Sequence, residues 1–141
     1  MGLLNRYEKI RMDKDAILKA ESRNRSGGKK RMNRTIRVSA AGDILIMKRL
    51  LPGYQDVLPI REFLMQGEVR MANLETTISD GSCYASAYSG GTWLTADAKC
   101  LEDTLRYGFN FLGISNNHTM DYSYEGLAST ISELKKKDVA Y

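Results

Sequence analysis

Apolar and β-branched residues along this chain gather into short runs, and polar, glycine-containing stretches separate them. The first strong run, TIRVSAAGDILI (35–46), predicts a buried strand that runs into a Gly-Asp pair. Residues 56–66 predict a helix, and EVRMANLE (68–75) predicts a second strand ending at Asn73-Leu74-Glu75. SDGSCYASAYSGG (79–91) is small, polar and glycine-rich, the composition of a loop. ADAKCLEDTLRYG (96–108) places Ala98, Leu101 and Leu105 at helical spacing and closes on Gly108, which predicts an amphipathic helix. FNFLGIS (109–115) predicts a third strand that leads directly into Asn116-Asn117-His118. From Tyr124 to Lys137 the pattern predicts a helix, with Leu127, Ile131 and Leu134 on one face and a lysine triplet complementing the C-terminal dipole. Strand and helix alternate throughout, so the expected class is α/β with a mainly parallel sheet.

Ahead of these elements the pattern is weaker. Between Gly2 and Ala20, Leu3, Leu4, Tyr7, Ile10, Ile17 and Leu18 fall partly on one helical face, which suits a short surface helix. ESRNRSGGKKRMNR (21–34) has little to bury and reads as a solvated linker. The expected organisation is a basic, flexible extension over 1–34 and one folded domain over 35–141, and Met32 stands where a shorter chain would begin.

Charge sharpens that division. Residues 1–34 hold eleven Lys and Arg against four acids, a net of +7, whereas the other 107 residues hold ten against thirteen, a net of −3. The overall +4 therefore belongs to the extension, and the mildly acidic folded part is a poor match for nucleic acid. A basic arm that touches anionic lipid or nucleic acid is the functional alternative for the extension. At 141 residues the chain has material for one ordinary core. No run reaches the roughly 18–20 apolar residues of a membrane span, and the N-terminus lacks a signal-peptide pattern, so a cytoplasmic location is expected. Cys83 and Cys100 are too few for a disulfide framework or a zinc site and are expected as free thiols.

Candidate chemistry lies where the strands end, since open α/β sheets bind ligands at the carboxyl ends of their strands. Asp43 follows the first strand, Glu75 ends the second, and Asn117 with His118 follows the third. Carboxylate, carboxamide and imidazole make a mixed oxygen and nitrogen set suited to Mn, Fe, Zn or Mg. Each residue also admits a plainer role. Asp43 suits a strand-ending turn, Asn73-Leu74-Glu75 a surface turn or helix start, His118 a structural hydrogen bond, and Asp121 the N-cap of the next helix. Polar residues at all three strand ends weigh more together than singly.

The set GD (42–43), ANLET (72–76), NNHTMDY (116–122) and EGLASTISEL (125–134) resembles the bacterial capsule-synthesis proteins of the CapA, or poly-γ-glutamate synthesis, type. Those proteins belong to the calcineurin-like metallophosphatase superfamily, and the resemblance runs from about Ile36 to the C-terminus. It implies the N-terminal part of a metallophosphatase-like sandwich, incomplete at its C-terminal side and with an unpaired sheet edge where further strands belong. It implies that Asp43 is a ligand of a first divalent metal, that Glu75 stands at the bridging position, and that Asn117 binds a second metal. It also implies that His118 lies near the substrate phosphate as proton donor with Asp121 orienting its ring, and that Asn73 and Asn116 support the ligands. The implied substrate is a phosphate ester or an anionic polymer such as poly-γ-glutamate, with assembly partners at the cell envelope.

Two departures limit what the resemblance implies. Leu45 stands where many members of the superfamily have a histidine, and the family's later Trp-Gly and Gly-His-His-Pro-His segments have no counterpart before Tyr141. Two readings follow: a metal-dependent phosphoesterase-like domain too short to act alone, or a non-catalytic binding or assembly subunit, or degenerate fragment, that retains only part of the site.

Overall fold

A computed structural model describes residues 34–141, so the helix expected between Gly2 and Ala20 and most of the linker fall outside the described residues. The elements follow the predicted alternation. They are β1 (Val38–Ile44), α1 (Val57–Leu64), β2 (Val69–Leu74), β3 (Thr77–Ile78), β4 (Thr95–Ala96), α2 (Ala98–Leu105), β5 (Phe111–Gly113) and α3 (Ser123–Lys136). β1, β2 and β5 form a parallel sheet in the order β1-β2-β5, which places their carboxyl ends side by side. The fold is α/β, a partial metallophosphatase-like arrangement of helices and mostly parallel strands.

β3 and β4 were not apparent in the sequence. They are two residues each and pair in parallel as a separate small sheet. β4 (Thr95–Ala96) takes Ala96 from the start of the predicted second helix, and Asp97 then caps α2 by accepting from the Lys99 amide at 2.7 Å. Strand pairs this short carry no hydrophobic periodicity, so neighbouring elements must define them. α3 does so: the Thr130 hydroxyl accepts from Ile78 N at 2.9 Å and donates to Gly126 O at 2.9 Å. Gly126 allows this contact, because a Cβ there would lie 2.4 Å from Tyr122 Cβ and 2.9 Å from Thr77 Cγ2.

Register decides which side chains reach the site. Ala40 pairs with Met71, but Asp43 rather than Gly42 pairs with Asn73, so β1 carries one extra residue between them. Side chains alternate faces with a period of two, and an unbroken β1 would align Asp43 with the buried Leu74. The bulge instead sets Asp43 in one lateral row with Asn73 and Gly113.

The opposite row faces the core. Ile44, Ala72, Leu74 and Leu112 pack with Leu64, Leu101 and Leu134 from the three helices. Each such leucine contributes about 2 kcal/mol relative to exposure. Gly108 adopts φ +95° after α2, as its closing position requires. The unpaired edge expected beyond β5 is partly covered instead: Leu112 N donates to Ala140 O at 2.8 Å and Ala140 N to Asn110 O at 3.1 Å.

The segment after β1 is clasped to α2 by one buried acid. The Asp103 side chain is 3 % exposed; it accepts from Arg49 Nε at 2.6 Å, Arg49 Nη2 at 3.2 Å and Leu50 N at 2.9 Å. The Arg49 guanidinium holds the Asp103 carboxyl below the usual carboxylate range, against the opposing effect of burial. A depressed native pKa stabilises fully above the unfolded value, about 3.9, and the contribution is lost as pH falls through the native value. Asp103→Asn is therefore expected to lower stability at pH 7 by on the order of 1 kcal/mol. Urea titrations should show that difference shrinking as pH falls below the unfolded value and through the depressed native one.

Candidate active site at the strand ends

The carboxyl ends of β1, β2 and β5 carry a continuous chain of side-chain hydrogen bonds. Asn73 Nδ2 donates to Asp43 Oδ1 at 2.9 Å and to Glu75 Oε1 at 3.3 Å. Asn116 Nδ2 donates to Asn73 Oδ1 and to Leu74 O, each at 3.0 Å. Asn116 Oδ1 in turn accepts from His118 N at 2.9 Å. Each amide is oriented by the next: Asn73 gives its oxygen to Asn116, so its nitrogen must face the two acids. Asn73 and Asn116, expected as supporting residues, are the spine that joins the strand ends.

The two carboxylate oxygens share one nitrogen donor, so they lie no farther apart than hydrogen bonds of 2.9 and 3.3 Å allow. Two carboxylates about 6 Å apart repel by about 1–3 kcal/mol at the effective dielectric of a protein surface. Among the described residues neither acid has a Lys or Arg partner in an ion pair. That is a site where an added cation is electrostatically favoured. The donor set is nevertheless short, because no group of three or more His, Cys, Asp and Glu capable of holding a metal ion occurs among the described residues. Two carboxylates and neighbouring amide oxygens therefore fit a hard divalent ion only in part.

His118 and Asp121 form a second, buried unit. His118 Nδ1 lies 2.8 Å from Asp121 Oδ2, with the residues 8 % and 1 % exposed. Asp121 also accepts from Leu94 N at 2.8 Å through Oδ2 and from Gly90 N at 3.1 Å through Oδ1. Burial pushes the Asp121 carboxyl up, but the His118 hydrogen bond and the two backbone amides outweigh it and hold the group below the ordinary range. An ionised Asp121 only accepts, so Nδ1 of His118 carries its proton and Nε2 is left to exchange one. The ring shares a small cleft with Leu74, Glu75, Thr77, Ile114 and Thr130, so the dyad adjoins the acid pair through Glu75. Asp121 is not a helix cap, since Tyr122 holds that position for α3.

Asn117 points elsewhere. It is exposed, and its Nδ2 donates to Gly90 O at 3.1 Å, outside the Asp43–Asn73–Glu75–Asn116 chain. A Cβ on Gly90 would lie 2.6 Å from Asn117 Nδ2 and 2.8 Å from the Asn117 carbonyl carbon, so only glycine allows this approach. Periodicity and motif spacing carry no sign of these loop contacts. The signal available in the sequence was the Gly90-Gly91 pair itself.

A model of the bacterial capsule synthesis protein (PGA_cap) family matches residues 37–141. Two proteins of Sinorhizobium fredii (strain NBRC 101917 / NGR234), the uncharacterized proteins y4sH and y4uA, are similar to the chain. Each is 28% identical over 109 residues, a match that takes in 72% of this chain and 23% of the relative. The chain thus spans about a quarter of the length of these curated relatives.

Asp121→Asn keeps the shape but removes the charge that holds two loop amides. Hydrogen exchange at Gly90 and Leu94 is expected to accelerate by about tenfold or more, with interior amides of α3 unchanged. Exchange measured residue by residue checks this, and equal protection in both proteins would contradict the anchoring role.

Proposed function

The chain belongs to the bacterial capsule synthesis protein family, and on that premise we propose that it carries the strand-end half of a metal-dependent phosphoester site. In this reading Asp43 and Glu75 hold a divalent cation (Mn, Fe, Zn or Mg), and the exposed Asn117 offers its amide oxygen to a second one. Such an ion activates water and neutralises developing phosphoryl charge. The chain's own contribution is to position and to transfer a proton. Asn73 and Asn116 keep the two carboxylates facing one point, and His118 Nε2, set by Asp121, donates toward a leaving oxygen. The substrate class is a phosphate ester or an anionic polymer of the poly-γ-glutamate kind, handled with envelope assembly partners.

The observation that carries this reading is the Asn73 amide nitrogen, held between two carboxylates that have no cationic partner among the described residues. A donor at that point occupies the place of a cation. The surrounding segments supply no substitute for a metal, since residues 38–47, 71–98 and 107–134 contain no Lys or Arg. A phosphate bound here would draw its positive charge from an ion.

A second reading, a non-catalytic binding or assembly subunit, is favoured by the shortage of ionisable ligands among the described residues. Calorimetric titration with Mn²⁺ separates the two. Saturable binding that Asp43→Ala and Glu75→Ala each weaken by about tenfold or more supports the metal site. Unsaturable heats, or equal binding by the variants, leave the assembly reading. Turnover of a generic phosphate ester by the isolated chain is expected to be slight, because three ligand-bearing segments make an incomplete dinuclear site.

A further inference from the structure

The loop between β3 and β4 displays aromatic rings that the fold does not use. Tyr84 and Tyr88 are 85 % and 88 % exposed, Trp93 is 44 % exposed, and Tyr124, in the first turn of α3, is 80 % exposed. Single exposed apolar residues need no explanation, but three large rings on one loop, with a fourth three residues after the Asp121 that holds that loop, mark an interaction surface.

The loop that carries them is held at many points. Asp121 takes the amides of Gly90 and Leu94 on its carboxylate and that of Ser86 on its backbone oxygen, and Asn117 grips Gly90 O. Trp93 Nε1 donates to Ser86 O at 3.0 Å, and the Ser86 hydroxyl donates to Tyr88 O. The rings are therefore presented on a fixed backbone, which lowers the entropy lost when something binds. Tyrosine and tryptophan on a serine- and glycine-rich loop combine large contact area, few rotors and hydrogen-bonding rims.

Charge selects the ligand. Residues 71–98 and 107–134 contain no Lys or Arg, while Glu75, Asp80, Asp97, Asp121, Glu125 and Glu133 are acidic. Nucleic-acid bases stack on aromatic rings, but their phosphates require cations, and Lys136, which shares a cleft with Ser82, is already paired with Glu133. A polycarboxylate would be repelled by the same acids. An uncharged sugar chain meets neither obstacle. Its C–H faces are apolar enough to lie on the rings, and its hydroxyls match the Ser82, Ser89 and Thr92 side chains around them.

We infer that the loop from Ser82 to Trp93, with Tyr124, is a binding platform for an uncharged polysaccharide chain beside the strand-end site. The platform shares its anchors Asp121 and Asn117 with the strand-end site but places no sugar on Asp43, Glu75 or His118, so the two readings are tested separately.

Trp93 is the single tryptophan of the chain, so its fluorescence reports binding directly. The 141-residue chain would be titrated with dextran, a soluble β-glucan and a soluble mannan, and separately with poly-γ-glutamate. The expected result is a saturable change in Trp93 emission with at least one neutral polymer and none with poly-γ-glutamate. Tyr84→Ala combined with Tyr88→Ala is expected to weaken binding by about tenfold with an unchanged circular dichroism spectrum. Asp43→Ala is expected to bind the neutral polymer like the parent, which separates this result from that of the metal titration. No response to any neutral polymer, an unaltered response in the double variant, or a preference for poly-γ-glutamate would each overturn the platform.

Discussion

The carboxylate of Asp121 is the contact on which this site depends. Burying a lone carboxylate costs several kcal/mol, and three donors repay about 1.5–3 kcal/mol each, so the net gain in stability is modest. What the arrangement secures is position. One acid fixes the loop amides at Gly90 and Leu94, the tautomer of His118 and, through the backbone of residue 121, the amide of Ser86. The end of β5, the start of α3 and the β3–β4 loop are thereby held as one piece.

Amide side chains extend that order across the sheet. Between His118 and the two acids every donor points the same way, from the histidine backbone through Asn116 and Asn73 to Asp43 and Glu75. Rotating either amide would set like atoms against each other, so the network resists local rearrangement and the acids face a common point. Gly113, in the same lateral row, has no side chain to compete for that space.

Much of this was legible in the chain. Alternating apolar runs placed α1, α2, α3 and the three long-range strands, with ends displaced by one to three residues, and the Gly-Asp, Asn-Leu-Glu and Asn-Asn-His stretches fell at the strand ends as read. β3 and β4 were hidden because two residues have no period, and α3 defines them through Thr130, 52 residues from Ile78, and Gly126. The direction of Asn117 was hidden for a related reason: its partner is a backbone oxygen of a distant loop, and no residue type encodes that. Ala140, a single residue beside β5, gave no strand signal and yet covers the edge that looked bare. Local pattern reported the elements, while contacts between residues far apart in sequence assembled the site.

The extra residue in β1 is slack that the strand between Ala40 and Asp43 could give up without changing which side chains face the site. Ala41 and Gly42 are exposed, and no atom lies near a Cβ built on Gly42, so side chains there are tolerated sterically. Removing a single codon from the same pair would take out the extra residue and leave Ala40 opposite Met71, the following aspartate opposite Asn73 and Ile44 opposite Leu74, so a regular strand would keep the same faces. A comparison of related genes is expected to find single-residue gaps as well as substitutions in this stretch, with the aspartate's place in the row unchanged.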